Sequence, residues 1–142
     1  MAILVVDDDD DIREAVREVL AAEGYETVAA VNGADAKQHL KTCTERPELI
    51  LLDLMMPVMD GWQFLLWLDE TPELRDTPVA IMSAHPAIQR AFDISRDKPG
   101  GPHVLLHGGT RQLLPKPLSF LRLLAIAGEA CAGMRASLAP SR

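Results

Sequence analysis

Two adjacent carboxylates, Asp7 and Asp8, follow the apolar run Ile3-Leu4-Val5-Val6, and a third, Asp53, ends the apolar run Leu49-Ile50-Leu51-Leu52. Ser83 closes a further run, Pro78-Val79-Ala80-Ile81-Met82, and Lys116 stands between Pro115 and Pro117 just after Arg111-Gln112-Leu113-Leu114. Carboxylates gathered at one place repel, and apolar surroundings cannot keep them ionised without a cation. A hard divalent ion meets that need: magnesium takes oxygen donors, keeps several waters, and pairs one or two protein carboxylates with a phosphate oxygen. Asp8 and Asp53 suit direct ligation, Asp7 a water-mediated contact, and the Met55 backbone carbonyl a further oxygen. With phosphate charge offset there, the Asp53 carboxylate is free to attack phosphorus and become an aspartyl phosphate. Lys116 would then pair with the phosphoryl oxygens as a mobile point charge, and Ser83 would donate a hydrogen bond to the same group.

Such convergence requires a scaffold in which the ends of these runs share one edge. Short, continuous, β-branched runs are the pattern of strands buried on both faces of a parallel sheet. The sequence predicts strands at Ile3 to Val6, Thr27 to Val31, Leu49 to Leu52 leading into Asp53, Pro78 to Met82 ending at Ser83, and Arg111 to Leu114. Between them, Ile12, Val16, Val19 and Leu20 recur at helical spacing behind aspartates that can cap them, with Gly24 as the stop. Helices are also expected from about Ala34 to Thr44, around Phe64, Leu65 and Leu68, and from Leu118 to about Met134. Alternating strands and helices imply right-handed crossovers, an α/β fold with helices on both sheet faces, and ligands at the carboxyl ends of the strands. One stretch is anomalous: Ala84 to Gly109 is too long for one ordinary helix and holds the breaker cluster Lys98-Pro99-Gly100-Gly101-Pro102. It is expected to split into a short helix, a loop, and a second turn or helix through His103 to His107.

With these residues in view, the chain resembles the receiver domains of bacterial two-component response regulators. Ile3-Leu4-Val5-Val6-Asp7-Asp8-Asp9 looks like their opening strand and acidic pair, and Leu51 to Gly61 is similar to their phosphoacceptor segment nearly position for position. Pro78 to Ala84 resembles the fourth strand with its switch hydroxyl, and Leu114-Pro115-Lys116-Pro117 the Lys-Pro motif. The likeness runs from about Ala2 to Ala125. It implies a flavodoxin-like, doubly wound, five-stranded parallel sheet of order 2-1-3-4-5. It also implies a cis peptide between Lys116 and Pro117, and phosphotransfer to Asp53 from a sensor histidine kinase or phosphotransfer protein. Residues 1–142 then read as a single receiver domain with its core over about 2–134 and an insertion-like segment at about 95–108.

Two departures stand out. Members of that family usually carry Tyr or Phe three residues before the lysine, where this chain has Leu113, so an aromatic rotamer cannot be the readout. The Ala84 to Gly109 segment replaces the family's single fourth helix with an irregular, extended region, and the output face is therefore expected to be atypical.

The remaining composition narrows the field. A length of 142 residues, 48% hydrophobic and 25% charged, is that of an ordinary globular domain. No apolar run is long enough to span a bilayer and the start lacks a signal-peptide pattern, so a cytoplasmic location without membrane association is expected. The net charge of −7 argues against direct nucleic-acid contact, because that affinity comes from Lys and Arg on phosphates. Cys43 and Cys131 lack the paired spacing of a zinc or redox motif and are expected as reduced thiols. Asp9, Asp10 and Asp11 suit a solvated helix start, and Trp62 and Trp67 suit packing. His39, His103 and His107 lack ligand spacing. His85, two residues beyond Ser83, suits either a surface position or a modulator of the site mouth.

The leading expectation is thus a magnesium-dependent phosphoacceptor switch that assists its own phosphoryl transfer and loss but is not otherwise an enzyme. It would control a downstream protein whose identity the sequence does not reveal. A degenerate receiver serving as a phosphorylation-independent binding module is the alternative. A metal-dependent phosphohydrolase would place a second acid two residues after the nucleophile, and Met55 stands there.

Overall fold

The computed structural model describes residues 2–54, 60–86, 90 and 111–138. Five parallel strands, β1 (Ile3–Val6), β2 (Thr27–Ala30), β3 (Leu49–Asp53), β4 (Val79–Ser83) and β5 (Arg111–Pro115), form one sheet in the order β2-β1-β3-β4-β5. Helices α1 (Asp10–Ala22), α2 (Gly33–Thr42) and α3 (Gly61–Glu70), and a C-terminal helix at Phe120–Leu138, complete the described elements.

Side chains on a strand alternate between faces, and this alternation sorts the core into two layers. Leu4, Val6, Ile50, Leu52 and Ile81 pack with Ala36 and Leu40 of α2 and with Phe64, Leu65 and Leu68 of α3. Ile3, Val5, Leu49, Leu51, Ala80 and Met82 pack on the other side with Val16 and Leu20 of α1 and with Leu123, Ile126 and Ala127 of the C-terminal helix. Both faces are covered, which is why β1, β3 and β4 are apolar without polar alternation.

Local signals set the helix limits. The Asp9 carboxylate accepts from the amides of Asp11 and Ile12 and starts α1, while Gly24 takes the left-handed φ of 87° that lets the chain turn toward β2. Asp60 and Gln63 form a reciprocal capping box at the head of α3. The C-terminal helix begins at Phe120 and not at Leu118, because Ser119 acts as its cap, its hydroxyl accepting from the Arg122 amide at 3.3 Å. That helix also runs to Leu138, four residues past the expected Met134. β2 ends one residue early, at Ala30, and its neighbour Val31 is exposed. At the opposite sheet edge, Arg122 Nη2 donates to the Leu113 carbonyl of β5 at 3.2 Å.

Trp62 and Trp67 pack against the α2/α3 layer, as expected; Trp67 stacks on Phe64 at 5.9 Å and lies under Lys37 Nζ at 5.3 Å. Residues 87–89 and 91–110 lie outside the described residues, and with them most of the expected irregular region from Ala84 to Gly109, including His103, His107 and the 95–108 insertion. Met55, Met56 and Met59 lie outside them as well.

Candidate functional site

Strand register brings the predicted residues to one rim. Val6 pairs with Leu52, Asp53 with Met82, and Ser83 with Pro115, so Asp7, Asp53, Ser83 and Lys116 follow one another along the carboxyl edge of β1, β3, β4 and β5. The ladder continues one step past β4, where the Lys116 amide donates to the Ser83 carbonyl at 2.9 Å. The peptide between Lys116 and Pro117 is cis, as the resemblance implied.

The carboxylates converge. Asp7, Asp8 and Asp53 each present an oxygen within 4.8 Å of the other two, an arrangement that can hold a cation. Asp7 is fully buried and Asp53 is 6% exposed, whereas Asp8 is open to solvent. The Lys116 ammonium lies 3.3 Å from Asp7 Oδ2 and 3.7 Å from Asp53 Oδ2, reaching both buried acids at once. One lysine offsets only part of this negative charge, and the oxygen-only donor set fits a hard divalent ion. Ser83 is buried beside Asp53's partner Met82, and its hydroxyl accepts from the His85 amide at 3.0 Å. The His85 residue is itself exposed. The Met55 carbonyl proposed from sequence as a ligand lies outside the described residues.

Close packing holds the exit of β3. The Gly61 amide donates to the Leu54 carbonyl at 3.0 Å, and a Cβ at Gly61 would sit 2.5 Å from Leu54 Cα and 2.6 Å from the Asp53 carbonyl oxygen. Only a residue without a side chain lets α3 start so near the Asp53 backbone.

Sequence reasoning missed two contributors. The Asp9 amide donates to Asp7 Oδ1 at 2.9 Å, and Arg13 Nη1 donates to the Asp7 carbonyl at 2.8 Å. Arg13 also pairs with Asp10. A cation one turn into α1, behind the acidic run, was the available signal. Elsewhere, a groove of about 460 Å³ lined by Leu4, Val28, Leu40 and Pro47 contains none of the acids of the rim.

An open parallel sheet with carboxylates, a hydroxyl and a lysine at one carboxyl edge defines a receiver-type α/β domain, and comparison with known proteins agrees. The family described as "Response regulator receiver domain" matches residues 3–98. This chain belongs to that family, the receiver domains of two-component response regulators. It is 33% identical over 125 residues to the response regulator MprA of Mycobacterium avium, covering 88% of this chain and 48% of that protein. It is 35% identical over 124 residues to the transcriptional regulatory protein PrrA of Mycobacterium bovis, covering 87% and 46%. The chain therefore spans about half the length of these curated relatives. Among solved structures, the signal receiver domain of a signal transduction histidine kinase from Syntrophus aciditrophicus superposes with a TM-score of 0.74 at 28% identity, covering 99% of this chain and 96% of the other. Among the described residues, no helix is long and apolar enough to cross a membrane.

Proposed function

We propose that this chain is a magnesium-dependent phosphoacceptor in which Asp53 receives the phosphoryl group, Lys116 and Ser83 hold it, and Asp7 and Asp8 with Asp53 hold the metal. The observation that carries this reading is Lys116 placed between Asp7 and Asp53 beside the three-carboxylate cluster. The bound ion would supply charge neutralisation for the phosphoryl oxygens.

In the transfer, an Asp53 carboxylate oxygen forms a bond to phosphorus while the bond from phosphorus to its donor breaks. The electron pair of that bond leaves with the donor, an imidazole nitrogen of a phosphohistidine or the oxygen of a small acyl phosphate. Asp53 then carries roughly −1.5 to −2 charge units, which the Lys116 ammonium meets at close range. The Ser83 hydroxyl exchanges its present role for donation to the new group. A sensor histidine kinase or phosphotransfer protein fits as donor, and the chain acts as a cytoplasmic switch and not as a turnover enzyme.

The output is proposed to pass through a protein partner or an attached module, by a surface that does without an aromatic at Leu113. PrrA is named as a transcriptional regulator, so control of transcription is open to relatives of this chain. The net charge of −7 supports leaving direct nucleic-acid contact to something other than these 142 residues. Residues 1–142 are proposed as one receiver domain.

Incubation with acetyl phosphate and magnesium, followed by intact-mass measurement, tests the reading. The wild type should gain one phosphoryl group and Asp53→Asn none. Gain in both would remove Asp53 as acceptor, and gain in neither would leave the binding-module alternative.

A further inference from the structure

We propose that Arg13 is a positioning residue that aims the Asp8 carboxylate at the metal site by locking the Asp7–Asp8 peptide plane. This inference rests on the metal site proposed above and assigns it a residue outside the acidic set.

β1 and β3 pair only as far as Val6 and Leu52, so the carbonyl of Asp7 lies past the end of that ladder in a buried residue. A buried carbonyl needs a donor, and Arg13 Nη1 supplies it at 2.8 Å. The Arg13 side chain is only 11% exposed, and its second nitrogen pairs with Asp10, whose side chain is 81% exposed. The guanidinium is thus fixed at both tines of its fork, one tine on backbone and the other on a carboxylate.

The rest of Asp7 is held just as firmly. Its amide donates to Ala30 at 3.2 Å, Oδ1 accepts from the Asp9 amide at 2.9 Å, and Oδ2 faces Lys116 at 3.3 Å. Asp8 differs: it is exposed, and among the described residues no hydrogen bond or ion pair directs its carboxylate. Its aim therefore comes from its backbone. Because a peptide unit is planar, fixing the Asp7 carbonyl also fixes the Asp8 amide and the place from which the Asp8 side chain leaves the chain. Arg13 controls that plane without touching the metal or the phosphoryl group.

Charge alone would act in the opposite sense. Removing a cation from an acidic rim makes the rim more attractive to a divalent ion, whereas removing a positioning contact weakens binding. The sign of the change therefore separates the two effects.

Magnesium titration of the full chain, followed by amide chemical shifts and thermal melting, should show roughly tenfold weaker binding in Arg13→Met than in wild type. Arg13→Lys, which keeps the charge and one donor but not the fork, should recover part of that loss. Exchange at the Asp8 and Asp9 amides, measured without metal, should quicken in Arg13→Met while amides of β3 stay protected. In phosphorylation by acetyl phosphate, the half-saturating magnesium concentration should rise by a similar factor while the rate at saturating magnesium changes less. Unchanged or tighter magnesium binding in either variant would overturn the proposal, as would a loss shared equally by all amides of the sheet. If the wild type gains no phosphoryl group yet Arg13→Met weakens magnesium binding, the positioning role stands and the phosphoacceptor reading fails. A wild type that neither binds magnesium nor gains mass removes both.

Discussion

The Lys116 ammonium stands 3.3 Å from Asp7 Oδ2, although the two residues are 109 positions apart in the chain. Asp7 is wholly buried and the lysine side chain is 18% exposed, so the pair closes the rim between β1 and the end of β5. It also ties Asp53 into the same field, at 3.7 Å from the ammonium.

Lys116→Ala should leave two buried carboxylates without their organic countercharge. A loss of about 3 kcal/mol in unfolding free energy is expected, since removing one partner strands the other. Millimolar magnesium should return part of it. Urea titrations with and without the ion check both statements, and a loss that magnesium leaves untouched would contradict the shared charge field.

Asp8→Asn should move stability the other way. Removing the solvent-exposed acid relieves repulsion with Asp7 and Asp53, so the metal-free melting temperature should rise by about 1–3 °C. The same variant should lose the upward shift that magnesium gives the wild type. Differential scanning fluorimetry over a magnesium series reads both effects.

Gly61→Ala places a Cβ against Leu54 Cα and the Asp53 carbonyl, both backbone atoms that cannot step aside. A destabilisation of about 2–3 kcal/mol is expected from such overpacking. Because one of the struck atoms belongs to Asp53 itself, phosphorylation should also slow in whatever protein remains folded. Denaturant midpoints and single-turnover mass gain test the two parts separately.

Much of this fold was legible because β1, β3 and β4 are buried on both faces, leaving unbroken apolar runs that each end in a polar residue. Asp7, Asp53 and Ser83 are polar residues at the ends of buried strands, and this alone marked them. Edges were harder: β2 is only partly covered, so its end at Ala30 carried a weaker pattern. The start of the C-terminal helix depended on the Ser119 cap, a contact that the apolar Leu118 beside it concealed. Arg13 was unreadable for a different reason. Its use lies in a side chain of α1 reaching back to the carbonyl just past β1, and a cation in a first helical turn looks the same whether it reaches a carbonyl or water.

The bond from Arg122 to the Leu113 carbonyl has a consequence for how these molecules coexist in solution. β5 borders the sheet, and exposed backbone along a border strand invites a strand from a neighbouring molecule to join. A newcomer at Leu113 would first have to dislodge a charged guanidinium. Arg122 thereby occupies a backbone acceptor that a joining strand would otherwise use.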